Sequence, residues 1–239
     1  MCPFSKLKST KLKSTKLKST KLKSTKLKST KLKSTKLTGC PVLNSLINMD
    51  YLDPKDEWEK KEVQNALKKI KMSRLTSFLL TNSAYYLLKS EKLKFTVKNL
   101  QRPNIIDHAG SISRYDYGQG EHIVFNKKKF NRIYKYFKNK KKITLKEFTE
   151  YRQYLYKQSY KENKNIVFGA RQYTITLAET VAIFILLSQD DFLHLDVLEK
   201  VFEYETLDNV KTNNINMINF SINYIKCVNY WMFASFKNK

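Results

Sequence analysis

Residues that turn or break a chain are scarce here: five glycines and four prolines among 239 residues. That scarcity argues against a turn-rich all-β design and favours helices. Cys2, Cys40 and Cys227 are too few for a disulfide framework, and no two form a CxxC pair for zinc. Long apolar runs are missing. The longest, VAIFILL at residues 181–187, is too short to span a bilayer and reads as part of a buried helix, so no transmembrane segment is expected. MCPFSK leads straight into a lysine-rich repeat with no apolar stretch, so no secretory signal peptide is evident and the compartment stays open. Carboxylates are few, 21 against 46 lysines and arginines, giving a formal charge of +25.

Twelve of those charges belong to six copies of KLKST at residues 6–35, which leaves +13 for the rest of the chain. Leucines five residues apart step about 140° around a helix and alternate faces on a strand. Neither geometry gathers an apolar face, so residues 1–37 are expected to be a disordered basic tail making nonspecific anionic contacts. From residue 38 the character changes, and 41% hydrophobic and 13% aromatic residues can build a core. The apolar spacing predicts helices over residues 41–48, 59–71 and 73–89, the last the more buried, and an amphipathic helix over 127–138. Thr144 followed by Glu147 has the form of a capping box, opening a helix to about Gln158. Residues 174–188 read as a buried helix, and the last forty residues mix helical and extended signals. The expectation is an all-α, mainly helical single domain over residues 38–239.

Three places in that domain carry chemistry. Pro41 suits the first turn of a helix, which puts Cys40 at the N-cap beside free amides and the positive end of the helix dipole. Such a position lowers a thiol pKa and suits a nucleophile, a redox centre or a metal ligand; an ordinary buried cysteine is the plainer reading. Cys2-Pro3 has no such helix behind it. The stretch IIDHAGSISRYD, residues 105–116, gathers Asp107, His108, Ser111, Ser113, Arg114 and Asp116. Its oxygens could hold Mg²⁺ or Mn²⁺ and His108 could relay a proton, or the stretch could be a polar loop capping two helices. Glu179 stands among Leu177, Ala178, Val181, Ala182 and Phe184. Burial there would raise its pKa into the range of a general acid–base, unless it is a salt-bridged structural residue.

In chain order these features resemble the heme-thiolate peroxidase family of chloroperoxidases and short unspecific peroxygenases. Gly39-Cys40-Pro41 and the following VLNSLINMDYL resemble the family's cysteine step and its continuation. Asp107-His108-Ala109 falls where the family has Glu-His-Asp, and Ser111-Ile112-Ser113-Arg114-Tyr115-Asp116 follows it closely. GQGEHIVFN at 118–126 and Phe130 continue the likeness, and AETVAIF resembles the helix with the family's catalytic glutamate. Sixty-eight residues separate Cys40 from His108 and 71 separate His108 from Glu179, spacings of the family's size. The resemblance covers about residues 38–188. It implies heme b with the Cys40 thiolate as axial iron ligand, Glu179 as distal acid–base, and His108 as its support. It also implies a Mg²⁺ or Mn²⁺ ion near a heme propionate, held by Asp107, Ser111 and the His108 carbonyl. Hydrogen peroxide would then oxidise, oxygenate or halogenate a small organic substrate. The departures are Gly39 for proline, Asp107 for glutamate, and Ala109 for the aspartate that orients the histidine; the last implies weakened activity. The competing reading is a basic, non-enzymatic protein that binds nucleic acid or an anionic surface through the tail and the lysine- and aromatic-rich run KKKFNRIYKYFKNKKK. No specific nucleic acid is expected, because that run's aromatics fit a core.

Overall fold

A computed structural model describes residues 38–88, 94–105, 108–138 and 140–236. The KLKST repeat, Cys2 and Asp107 lie outside the described residues. The mainly helical expectation is met, with ten helices and four strands of two or three residues among the described residues. Helix α1 (Pro41–Asn48) opens on Cys40 as N-cap with Pro41 in its first turn, as the sequence predicts. Strand β1 (Glu57–Glu59) leads into α2 (Lys60–Lys69), where Glu59 and Glu62 form a capping box and Lys68 and Lys69 face the negative helix end. Helix α3 (Arg74–Leu88) follows, then β2 (Lys94–Thr96), antiparallel to β1 with Trp58 opposite Phe95, and α4 (Val97–Leu100).

Helix α3 departs from its expected burial. Thr76, Ser77 and Thr81 face inward, while Leu75, Phe78, Leu79 and Leu80 are exposed. The inward hydroxyls are satisfied locally. Ser77 Oγ donates to the Ser73 carbonyl (2.9 Å), Thr81 Oγ1 to the Ser77 carbonyl (2.8 Å), and Thr76 Oγ1 to the Ile215 carbonyl (3.1 Å). The single helix expected over 127–138 is divided into α5 (Lys127–Phe130) and α6 (Arg132–Phe137) at Asn131. Phe130, Ile133 and Phe137 are buried, Lys129 pairs with Asp116 and Lys127 with Glu199 and Glu203. A surface built to stack bases would present those rings to solvent, so this run belongs to the core.

Strand β3 (Lys142–Ile143) precedes α7 (Leu145–Glu162), which starts at the expected Thr144–Glu147 capping box and runs one turn further than expected. Helix α8 (Ala170–Leu187) begins earlier than its apolar run, because the Gln172 side chain accepts from the Gly169 amide and closes the first turn. Strand β4 (Leu193–His194) pairs antiparallel with β3, then come α9 (Leu195–Phe202) and α10 (Met217–Phe236). The twenty-residue α10 has no clear sequence signal, because Ile218, Ile222, Ile225 and Phe233 are exposed while Cys227, Trp231 and Ala234 are buried. Helices α7, α8 and α10 pack on one another around Phe148, Tyr151, Leu155, Leu177, Val181, Cys227 and Trp231. By length and composition α8 is the one helix among the described residues that could cross a membrane, but 56% of it is buried inside the fold, as in a core helix.

Candidate active site

Helix α1 carries Cys40 and helix α8 carries Glu179, and each side chain feels the charge of Arg114; Cys40 also feels that of Glu179. Burial is the largest influence on the pKa of both, yet Cys40 is only half-buried and the Glu179 side chain is 36% exposed.

Cys40 sits where the sequence places it, but its thiol is not acidified. Burial pushes its pKa up and outweighs the lowering by the Leu43 and Val42 backbone amides and by Arg114. The helix end alone is too weak to offset desolvation, which favours the protonated thiol. The approach to Cys40 is firmly held. Thr38 Oγ1 accepts from the Cys40 amide (3.2 Å) and donates to Asn44 Oδ1 (2.8 Å), and Asn44 Nδ2 donates to Glu205 Oε1 (2.8 Å). The same Glu205 oxygen takes Arg114 Nη2 at 2.6 Å, and Arg114 Nε donates to the Ile123 carbonyl (2.7 Å). The Ser-Ile-Ser-Arg stretch and the cysteine helix are thereby joined through buried groups.

Glu179 and His108 meet as expected, with His108 Nε2 3.1 Å from Glu179 Oε2. On its other side His108 Nδ1 lies 3.0 Å from the Ala109 carbonyl oxygen and 3.2 Å from Thr176 Oγ1, whose own proton goes to the Gln172 carbonyl. With the Thr176 proton engaged, both neighbours present acceptor oxygens to Nδ1. The imidazole is thus oriented without the missing aspartate, by a carbonyl and a hydroxyl.

The sequence expectation for the Glu179 pKa is reversed. Burial works to raise it, but the Arg152 guanidinium and the His108 bond and charge bring it down to about 2. Arg152, on α7, donates from Nη2 to the same Oε2 at 2.5 Å. Sequence reasoning missed Arg152, which sits in a run of alternating aromatic and polar residues that reads as helix surface. A carboxyl held so low stays ionised far into acid. Because its folded pKa lies below the unfolded value, its contribution to stability is present above that unfolded value and is lost as pH falls through about 2. Acid unfolding followed by circular dichroism should show the wild type gaining more stability than Glu179→Gln as pH rises through the 2–4 range.

The remaining residues of the 105–116 stretch act inward. Asp116 Oδ1 accepts from the amides of Gly110 (3.2 Å) and Ser111 (3.4 Å) and from Lys129 Nζ (2.8 Å). Ser111 Oγ accepts from the Arg114 amide (3.3 Å), turned back on its own loop. Gly110, at φ +81°, is tied to the turn, since a Cβ there would stand 3.2 Å from the Tyr156 amide nitrogen. Among the described residues no three His, Cys, Asp or Glu side chains converge on a point. The expected Mg²⁺ or Mn²⁺ ion therefore finds no support, with Asp107 outside the described residues and Ser111 engaged elsewhere.

Compared with known proteins, the model of the family described as Peroxidase, family 2 matches residues 36–219. No curated protein matches the chain.

Proposed function

The chain belongs to the family 2 peroxidases, oxidoreductases that act on peroxide, and from that premise we propose that residues 38–239 form a heme-thiolate peroxidase or peroxygenase domain. The observation that carries this reading is the pair Cys40 and Glu179. Cys40 at the N-cap of α1 and Glu179 on α8 feel the charge of the same Arg114, Cys40 also feels that of Glu179, and a histidine is hydrogen-bonded behind the carboxylate. One sulfur and one carboxylate arranged in this way suit a heme better than a bare ion, which would need three or four converging ligands. Cys40 Sγ would hold the iron, losing its proton on binding, with the Val42 and Leu43 amides directed at the sulfur. Heme, when bound, supplies the iron at which the peroxide O–O bond is cleaved, a cleavage that thiolate donation favours.

The protein's own part is proton handling. Glu179 Oε2 is occupied by His108 and Arg152, while Oε1 has no hydrogen-bond partner among the described residues. Oε1 takes a proton from one peroxide oxygen and returns it to the other, so no net proton is consumed at the carboxylate. His108, fixed by the Ala109 carbonyl and Thr176, keeps the carboxylate turned toward the site. Ala109 on this reading costs little, because these two acceptors do the orienting. The oxidised substrate is a small organic molecule.

The test is hemin titration of the purified chain followed by hydrogen-peroxide-dependent oxidation of a phenol. One equivalent should bind with a sharp Soret band and support turnover. A chain that stays colourless contradicts the reading, and salt-sensitive nucleic-acid binding that survives deletion of residues 1–37 would favour the basic-protein alternative.

A further inference from the structure

Arg152 is almost wholly enclosed, with 1% of its side chain exposed, and it uses only one of its three nitrogens in a hydrogen bond among the described residues. Nε and Nη1 are buried without a partner there. A guanidinium that serves only to staple two helices is expected to meet a carboxylate fork to fork, taking both oxygens with two parallel bonds. Here the contact is end-on to a single oxygen, and that oxygen is the one His108 already addresses. Two donors from different parts of the chain, one on α7 and one on the loop before α5, converge on Glu179 Oε2 and leave Oε1 open.

We propose that Arg152 is the positioning residue of the distal site, clamping Glu179 Oε2 together with His108 so that Oε1 alone is presented to peroxide. The inference rests on the heme-peroxidase reading and deepens it. A glutamate side chain that spans several rotatable bonds and is held by one histidine can still swing about that single contact. A second donor on the same oxygen removes the swing and fixes the direction of the free lone pairs. His108 and Arg152 brace Oε2 from two sides.

The experiment uses the full heme-loaded chain with Arg152→Gln, Arg152→Lys, Glu179→Gln and the Arg152→Gln/Glu179→Gln double variant. Two quantities are read: the second-order rate with hydrogen peroxide, and the equilibrium binding of cyanide followed by the Soret shift. Cyanide enters as HCN and leaves its proton on the distal base, so it reports that base without turnover. Arg152→Gln should lower the peroxide rate by about 10²-fold and, by removing the cation that holds the Glu179 carboxyl down, move the acid limb of cyanide binding to higher pH, with the KM for the organic substrate and the Soret band of the resting protein unchanged. The double variant should be no slower than Glu179→Gln alone. Arg152→Lys, which keeps a cationic donor, should reverse part of both effects and serves as the readout should the Gln variant fold poorly. Wild-type values in both Arg152 variants, or a loss that simply adds to that of Glu179→Gln, would overturn the inference while leaving the heme reading intact. A wild type that takes up no heme would overturn the reading itself, and the inference with it.

Discussion

Glu179→Gln is expected to reduce peroxide-dependent turnover by about 10²–10⁴-fold, the range over which a positioned acid–base group acts. Glutamine keeps the shape and can still accept from Arg152 and His108 through its carbonyl oxygen. What it cannot do is take and return a proton at the position of Oε1, so the effect isolates proton transfer from packing. The change also takes the counter-charge from Arg152, which is 1% exposed, so it lowers stability and turnover is compared per heme bound. Heme uptake should be unaltered. The loss should appear in the step that depends on peroxide concentration and not in the KM for the organic substrate, a separation that stopped-flow mixing with peroxide measures directly. Near-wild-type peroxide kinetics in the variant would remove Glu179 from the mechanism.

The second large effect is on stability. Glu205→Gln is expected to destabilise the fold by about 3–5 kcal/mol, because it leaves the Arg114 charge buried without its counter-charge. Arg114 and Glu205 are 4% and 6% exposed, and burial alone pushes the Glu205 carboxyl up even against Asn44 and Arg114. Such a pair is costly to bury and more costly to break. The damage would not stay local, since Glu205 also holds Asn44, and Asn44 holds Thr38 at the entry to Cys40. The variant should therefore lose heme affinity along with stability, and urea unfolding of loaded and heme-free chains separates the two. Replacing both charges, Arg114→Met with Glu205→Leu, should recover much of the stability without restoring the hold on Asn44. A loss below about 1 kcal/mol for Glu205→Gln would mean that water reaches Arg114 and that the network is weaker than its geometry.

The residues that could be read from the chain are those whose role is set by their immediate neighbours. Pro41 marks the start of α1 and so locates Cys40, and Thr144 with Glu147 marks the start of α7; both depend on contacts within one helical turn. Glu179 stood out because it interrupts an apolar run. The direction of its pKa did not, because that is decided by Arg152, 27 residues away on another helix. The same holds for Cys40, where a favourable helix end predicts a low pKa and three-dimensional burial reverses it. Thr176 and Glu205 carry no local mark at all. One is a hydroxyl in a helix, the other a carboxylate after α9, and each matters only because a partner 68 or 91 residues earlier is folded against it. Helices α3 and α10 were misread or unread for a related reason. Side-chain period predicts a face only when apolar residues turn inward, and in both helices several large ones turn outward.

The sulfur of Cys40 offers the most direct test of thiolate ligation. Heme-loaded wild type and Cys40→Ala, each reduced and exposed to carbon monoxide, should give different spectra. The wild type should show the strongly red-shifted Soret band of a thiolate-ligated iron, and Cys40→Ala should lose that band whether or not it still takes up heme. A wild-type carbon monoxide complex without the red shift, or a red shift that survives in Cys40→Ala, would contradict that ligation.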